Sequence, residues 1–394
     1  MAQKNTFERP SVVSLAKLFS RIVSAAVVRA LTYPFRSLKA QSLKMDILNA
    51  AVRTLLAHIT LPQARWLNTS TTERYLSFCK IQKQRPSSVS VAYSYPAGEG
   101  EGKGEVVGHW IGDPAAEKVV LYCHGGAYFQ PATSGTFLYL DDLLQNIEKN
   151  EGKKRVAALV VACTLAPEAA FPTQIREAAA ILNHVLETNL GSRKRRARDV
   201  FLAGDSAGGN IVLGLLGHLM RPRPDVQDMH LEGRLGGAVL YSPSVTASAD
   251  WASMRRNEER DMLSVAKVPV WAAMYMGRTA SLQSLPLTEL GMDAYSEPCT
   301  AESEWWITLP KVVGDVLVVS GADEVFADAI AQLGARMMEG WVQGGGREDG
   351  VLCVAATGEA HIWPIVGFMM RRGRKEEGSQ GVMERWWKMR LLEG

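Results

Sequence analysis

Apolar residues near the start of the chain recur with the period of a helix. Between Ser11 and Leu31, the residues Leu15, Leu18, Phe19, Ile22, Val23, Ala26, Val27 and Ala30 share helical spacing. Lys17, Arg21 and Ser24 fall on another face, and Pro34 ends the run. A second helical pattern passes through Leu48, Ala51, Leu55 and Ile59, before Pro62. Lys17, Arg21 and Arg29 interrupt the first pattern, so it lacks the roughly 18–20 apolar residues of a spanning helix. It also lacks the compact apolar core of a signal peptide, which makes the Asn68-Thr69-Ser70 sequon a chance match. Two readings fit this first helix: it packs on its own domain, or its basic amphipathic surface rests on a membrane.

The period changes from Val89 onward. Val89–Tyr95 alternates like a strand, a glycine-rich turn follows, and Glu105–Ile111 returns as the second arm of a hairpin. Short apolar runs come next: Val119–Tyr122, Val156–Cys163, Val200–Ala203, Ala238–Tyr241, Val316–Val319 and Val351–Ala355. Runs apolar throughout predict strands buried on both faces. Helical patterns at Ile175–Leu186, Asn210–Met220 and Ala327–Trp341 separate several of them. Such alternation predicts an α/β fold around a mostly parallel sheet flanked by helices. Thr246–Pro310 breaks the alternation and is rich in tryptophan and methionine, with a helical stretch near Val265–Met276. It reads as a mostly helical cap. The expected organisation is therefore N-terminal helices joining the cap over 1–85, a first core part over 86–245, a cap insertion over 246–310, and a second core part over 311–394.

Composition narrows the function. In 394 residues, 44 Lys+Arg against 41 Asp+Glu leave +3, too small a surplus for a general nucleic-acid binder. An apolar fraction of 47% with 22% charged residues excludes a mainly disordered chain. Five cysteines without a CxxC pair give no disulfide scaffold and no zinc site, and no metal is expected. Cys123, Cys163 and Cys353 fall in apolar strand runs and read as buried free thiols of a reducing, cytoplasmic compartment. Arg193-Lys194-Arg195-Arg196 reads as a solvated loop.

The chemistry concentrates at strand ends. Gly204-Asp205-Ser206-Ala207-Gly208 follows one predicted strand and opens a helix, the context of a nucleophile elbow. His124-Gly125-Gly126-Ala127-Tyr128 follows another strand, and its backbone N–H groups suit an oxyanion. Gly125, Gly126 and Ala207 are the expected donors. An acid and a base should follow in that order. Asp323, after Val316–Val319, is the expected acid, with Glu324 and Asp328 as neighbouring competitors. His361, after Val351–Ala355, is the expected base. Tyr128, Phe129, Asp205, Trp251, Trp271 and Trp363 are the expected substrate-facing residues.

With these motifs the chain resembles the hormone-sensitive-lipase-like branch of the α/β-hydrolases. Leu165-Ala166-Pro167-Glu168, Phe171-Pro172 and Tyr241-Ser242-Pro243 add to the likeness, which spans roughly Val119 to His361. The resemblance implies an α/β-hydrolase fold, hydrolysis of carboxylic esters by Ser206, Asp323 and His361, and no cofactor. Glu324-Val325 stand where that branch often has proline and leucine. The long N-terminal extension is closer to fungal members, some of which act on steryl or secondary-metabolite acetates. The expected substrate is a short-chain acyl ester of a bulky apolar alcohol. An acyltransferase or cyclase with the same triad is one alternative. A non-catalytic small-molecule binder is another, and it would have lost the base.

Overall fold

The β-branched runs lie side by side in one eight-stranded sheet. The computed structural model describes residues 7–97, 100–149, 156–190, 193–278, 287–370 and 377–392. The strands are β1 (Ser88–Ala97), β2 (Gly100–Ile111), β3 (Lys118–Cys123), β4 (Val156–Ala162), β5 (Val200–Asp205), β6 (Gly237–Tyr241), β7 (Val316–Gly321) and β8 (Val351–Ala356). Their spatial order is β1-β2-β4-β3-β5-β6-β7-β8. β1 and β2 form the predicted hairpin, β2 runs antiparallel to β4, and every later pairing is parallel.

All residues of β3, β5, β6 and β7 are buried, as continuous apolar runs require. Alternation across the pleat divides them between two cores. Val119, Leu121 and Cys123 face one layer, and Val120 and Tyr122 the other. The first layer takes α6 (Thr173–Glu187), α7 (Ala207–Met220) and α11 (Ala327–Gln343); the second takes α4 (Thr71–Gln82), α5 (Ser134–Lys149) and α13 (Gly378–Leu392). β8 departs from the expectation. It is the edge strand, so Leu352 and Cys353 are exposed rather than buried.

Before the sheet come α1 (Val12–Thr32), α2 (Leu43–His58) and α3 (Leu61–Leu67). Ser11 and Ser42 cap the first two, each accepting from the backbone N–H three residues on. The chain between β6 and β7 carries α8 (Ala252–Asn257), α9 (Val268–Tyr275), α10 (Leu309–Val312) and short 3-10 turns. Residues 279–286 of that segment lie outside the described residues.

Polar contacts stitch these two regions together. Asn49 donates to the Arg260 carbonyl, and Arg53 donates to the carbonyls of Glu258 and Asp261, each at 2.6 Å. Buried Arg29 pairs with Asp46 and Glu259. Arg195 is also buried, donating to the carbonyls of Ala116 and Val185, so the basic run is not wholly a solvated loop. The last helix before the C-terminal one, α12 (Trp363–Met369), follows β8.

Candidate active site

The sheet turns back on itself between β3 and β5. From β3 the chain crosses to β4 on one side, and β5 pairs on the other. Such a switch point opens a crevice at the carboxyl ends of the strands. His124–Tyr128 leaves β3 there, and Ser206 leaves β5.

Ser206 sits at φ 52°, ψ −120°, between β5 and α7. This left-handed turn is strained for a serine and holds only because its surroundings determine it. Its N–H donates to the Tyr241 carbonyl at 2.9 Å. A Cβ on Gly208 would lie 2.0 Å from the Cys123 carbonyl oxygen, and one on Gly204 would lie 2.5 Å from that of Gly208. The elbow therefore needs both glycines for close backbone approach.

Ser206 Oγ lies 2.8 Å from Nε2 of His361, and both residues are buried. Behind the imidazole the structure departs from the sequence expectation. The carboxylate facing Nδ1 belongs to Glu324, with Oε2 at 3.5 Å. Asp323 turns the other way and pairs with Arg260 at 3.0 Å. The turn after β7 accompanies the difference: Asp323 N–H binds the Glu359 carbonyl, while the next side chain turns to Ser242 and Gly321. Glu324 is fully buried and accepts from Ser242 Oγ at 2.5 Å and from Gly321 N–H at 3.3 Å. At 3.5 Å the imidazole contact is longer than a formed hydrogen bond. Nδ1 has no other partner among the described residues.

Asp261 supports the same corner. Its oxygens accept from the N–H groups of His361 at 3.0 Å and Val325 at 2.8 Å, and burial raises its pKa to about 6. Burial pulls the His361 pKa down, but the neighbouring Glu324 carboxylate, then Asp261 and Asp205, outweigh it and raise it. Nothing in the local sequence marks Asp261.

The loop expected to bind an oxyanion also differs in one donor. Gly125 N–H is taken by Asp205 Oδ1 at 2.9 Å, which accepts Tyr122 OH as well, at 2.8 Å. Gly126, Ala127 and Ala207 keep N–H groups with no partner among the described residues. Ala127 and Tyr128 stand at φ 49° and 65°, two adjacent left-handed residues in the turn that presents this loop. His124 stays off the catalytic line, bridging the Gly125 carbonyl and Thr71 Oγ1.

Ser206 and His361 open into a cavity of about 400 Å³. Tyr128, Asp205 and Trp271 line it as expected; Phe129, Trp251 and Trp363 do not. Phe129 stacks behind Trp271, Trp251 donates its indole N–H to Thr246, and Trp363 is buried at the start of α12. Much of the wall comes from α2, through Leu48, Val52, Leu55, Leu56 and Ile59. That helix was legible as amphipathic, but its place in the cavity depends on contacts more than 200 residues away in the chain.

One polar stretch interrupts this wall. Arg74 lines it beside Asn68 and Gln130. Among the described residues it has no carboxylate partner: Nη2 reaches Asn68 Oδ1 at 3.4 Å, and Nε is buried without a partner. Burial lowers its pKa.

A family profile described as alpha/beta hydrolase fold matches residues 120–347. Steryl acetyl hydrolase 1 of Saccharomyces cerevisiae is 25% identical over 232 residues, 55% of this chain and 47% of that protein. Probable carboxylesterase 6 of Arabidopsis thaliana is 28% identical over 168 residues, 41% of this chain and 47% of that protein. The chain thus spans about half the length of the curated relatives it matches. Among solved structures, a study of two fungal esterases from Rhizomucor miehei gives a TM-score of 0.61 at 18% identity, covering 91% of this chain and 98% of that one. An esterase/lipase from an uncultured bacterium gives 0.57 at 18%, covering 90% and 100%. At such identity these structures speak to the fold.

Proposed function

The chain belongs to the α/β hydrolase fold family, and on that premise we propose that it is a serine hydrolase of carboxylic esters. One observation carries the reading: a serine on a strained elbow, 2.8 Å from a buried histidine, at the wall of an apolar cavity. His361 Nε2 takes the Ser206 proton as Oγ bonds to the ester carbonyl carbon. The resulting oxyanion is met by N–H groups of Gly126, Ala127 and Ala207; one such donor contributes about 3–4 kcal/mol. His361 then protonates the departing alcohol as its bond to the acyl carbon breaks. Water, deprotonated by the same imidazole, releases the acid. Glu324 stabilises the imidazolium and holds the proton on Nδ1.

The substrate we propose is a short-chain acyl ester, acetyl to butyryl, of a bulky apolar alcohol. The apolar wall from α2 and Trp271 supports the alcohol, and the name of the yeast relative, steryl acetyl hydrolase, supports the acetate. Product analysis on a panel of acyl esters, with native protein against Ser206→Ala, tests both parts. Hydrolysis should vanish in the variant, and free acid should be the product. An acyl group recovered on an alcohol acceptor instead would favour transferase chemistry. A kcat/KM rising steadily to decanoyl esters would refute the short-chain preference. Residual native-like turnover in Ser206→Ala would remove the nucleophile.

A further inference from the structure

The first helix has two unlike faces. Leu18 and Arg29 are buried on the side that packs against α2. Val12, Val13, Phe19, Val23, Val27 and Leu31 stand on the opposite side, between 50% and 81% exposed. Among the described residues, ten of the eighteen exposed large hydrophobics fall between Val12 and Leu43, including Phe35 at 88%. An exposed apolar stripe of this kind calls for a covering partner.

Charge identifies the partner. Arg9, Lys17, Arg21, Arg29, Arg36, Lys39 and Lys44 make seven basic residues, with no acidic residue among positions 9–44. The whole chain carries +3, so the remainder carries 3 − 7 = −4. Arg29 and Arg36 are spent on Asp46 and Glu259. Lys17 and Arg21 remain exposed beside the stripe. A second copy of this helix would bring like charges together. No helix among the described residues is long and apolar enough to cross a membrane. We propose that α1 lies flat on an anionic bilayer, its outward stripe in the acyl boundary and its basic residues at the headgroups.

The two sequence readings of this helix then hold together, because each face does one of the jobs. α2 presents one side to α1 and another to the cavity, so the bilayer stands about two helix layers, ~20 Å, from the cavity wall. An apolar alcohol would have a short way to travel out of water.

Deleting the helix would strip α2 as well, so the test alters the outward face alone. Phe19→Gln, Val23→Ser, Val27→Ser and Leu31→Gln are combined in one full-length variant, with the unfolding midpoint as the fold check. The readout is flotation with phosphatidylcholine vesicles, with and without phosphatidylserine. The intact protein should float with the anionic vesicles and release as salt rises, and the variant should lose about a hundredfold in partitioning. Should the fourfold variant misfold, Lys17→Glu serves in its place and should cost about tenfold on anionic vesicles alone. The proposal is overturned if the intact protein ignores both vesicle types, if the folded variants float as well as the parent, or if the stripe proves to pair two copies in solution without lipid binding.

Discussion

Replacing Glu324 by glutamine removes a negative charge 3.5 Å from Nδ1 of His361 while keeping the shape of the side chain. At an effective dielectric of about 20, that charge stabilises an imidazolium at this distance by about 5 kcal/mol. The glutamine amide can also donate to Nδ1, holding the proton on the wrong nitrogen and leaving Ser206 without a base. In serine triads that tautomer error alone costs about 10⁴ in kcat. The two effects overlap, so the expected loss is about 10³–10⁴. Asp323→Asn breaks only the pair with Arg260, and both side chains there are partly exposed. Such pairs contribute about 1 kcal/mol or less to stability, and kcat should stay within about tenfold. The assay is kcat on an aryl acetate for both variants, with unfolding midpoints alongside. If Asp323→Asn lost three decades while Glu324→Gln kept near-native turnover, the geometric reasoning about the acid would be wrong.

Turnover should also follow the state of His361. Its folded pKa lies above the ordinary 6.5, and the base must be neutral, so the acidic limb of kcat/KM should fall above that pH and move down in Glu324→Gln. The sign reverses for stability: the contribution of this histidine is full below pH 6.5 and is lost as pH rises through the raised value, which pH-dependent unfolding checks. Gly208→Ala should cost about 3 kcal/mol or more, because its Cβ meets a backbone oxygen at 2.0 Å; a midpoint within a degree of native would contradict this.

The core strands and the elbow were legible because their signals are local. A continuous apolar run says that both faces are covered, and G-x-S-x-G after such a run says that the chain must turn sharply. Asp323 and Glu324 show where that legibility stops. Both leave the same strand end, and which one turns inward depends on Glu359, Ser242 and Arg260, contributed by three other parts of the chain. Gly125 is a similar case: its N–H was expected to face substrate, but a carboxylate 80 residues later takes it. Trp251 and Phe129 have the right size and hydrophobicity for a pocket wall, yet half-buried Trp251 is satisfied by its bond to Thr246 and buried Phe129 by stacking on Trp271. The exposure of Cys353 follows from the edge position of β8, and edge position is a property of sheet order, which periodicity does not encode.

Asp205 precedes Ser206 by one residue and holds Gly125 through its carboxylate. It therefore works as a brace between two loops that arrive from different strands. The spacing between Oγ and the oxyanion donors is set when the chain folds, before any ester enters. Little reorganisation is then left for the reaction itself, and an incoming carbonyl must fit a spacing already fixed. Substitutions at the α2 wall or at Trp271 can reshape the cavity without disturbing that spacing, since those residues do not belong to the brace. Changes of substrate on this frame should come from the walls, and changes in intrinsic rate from Ser206, His361 and Glu324 and the few atoms around Asp205.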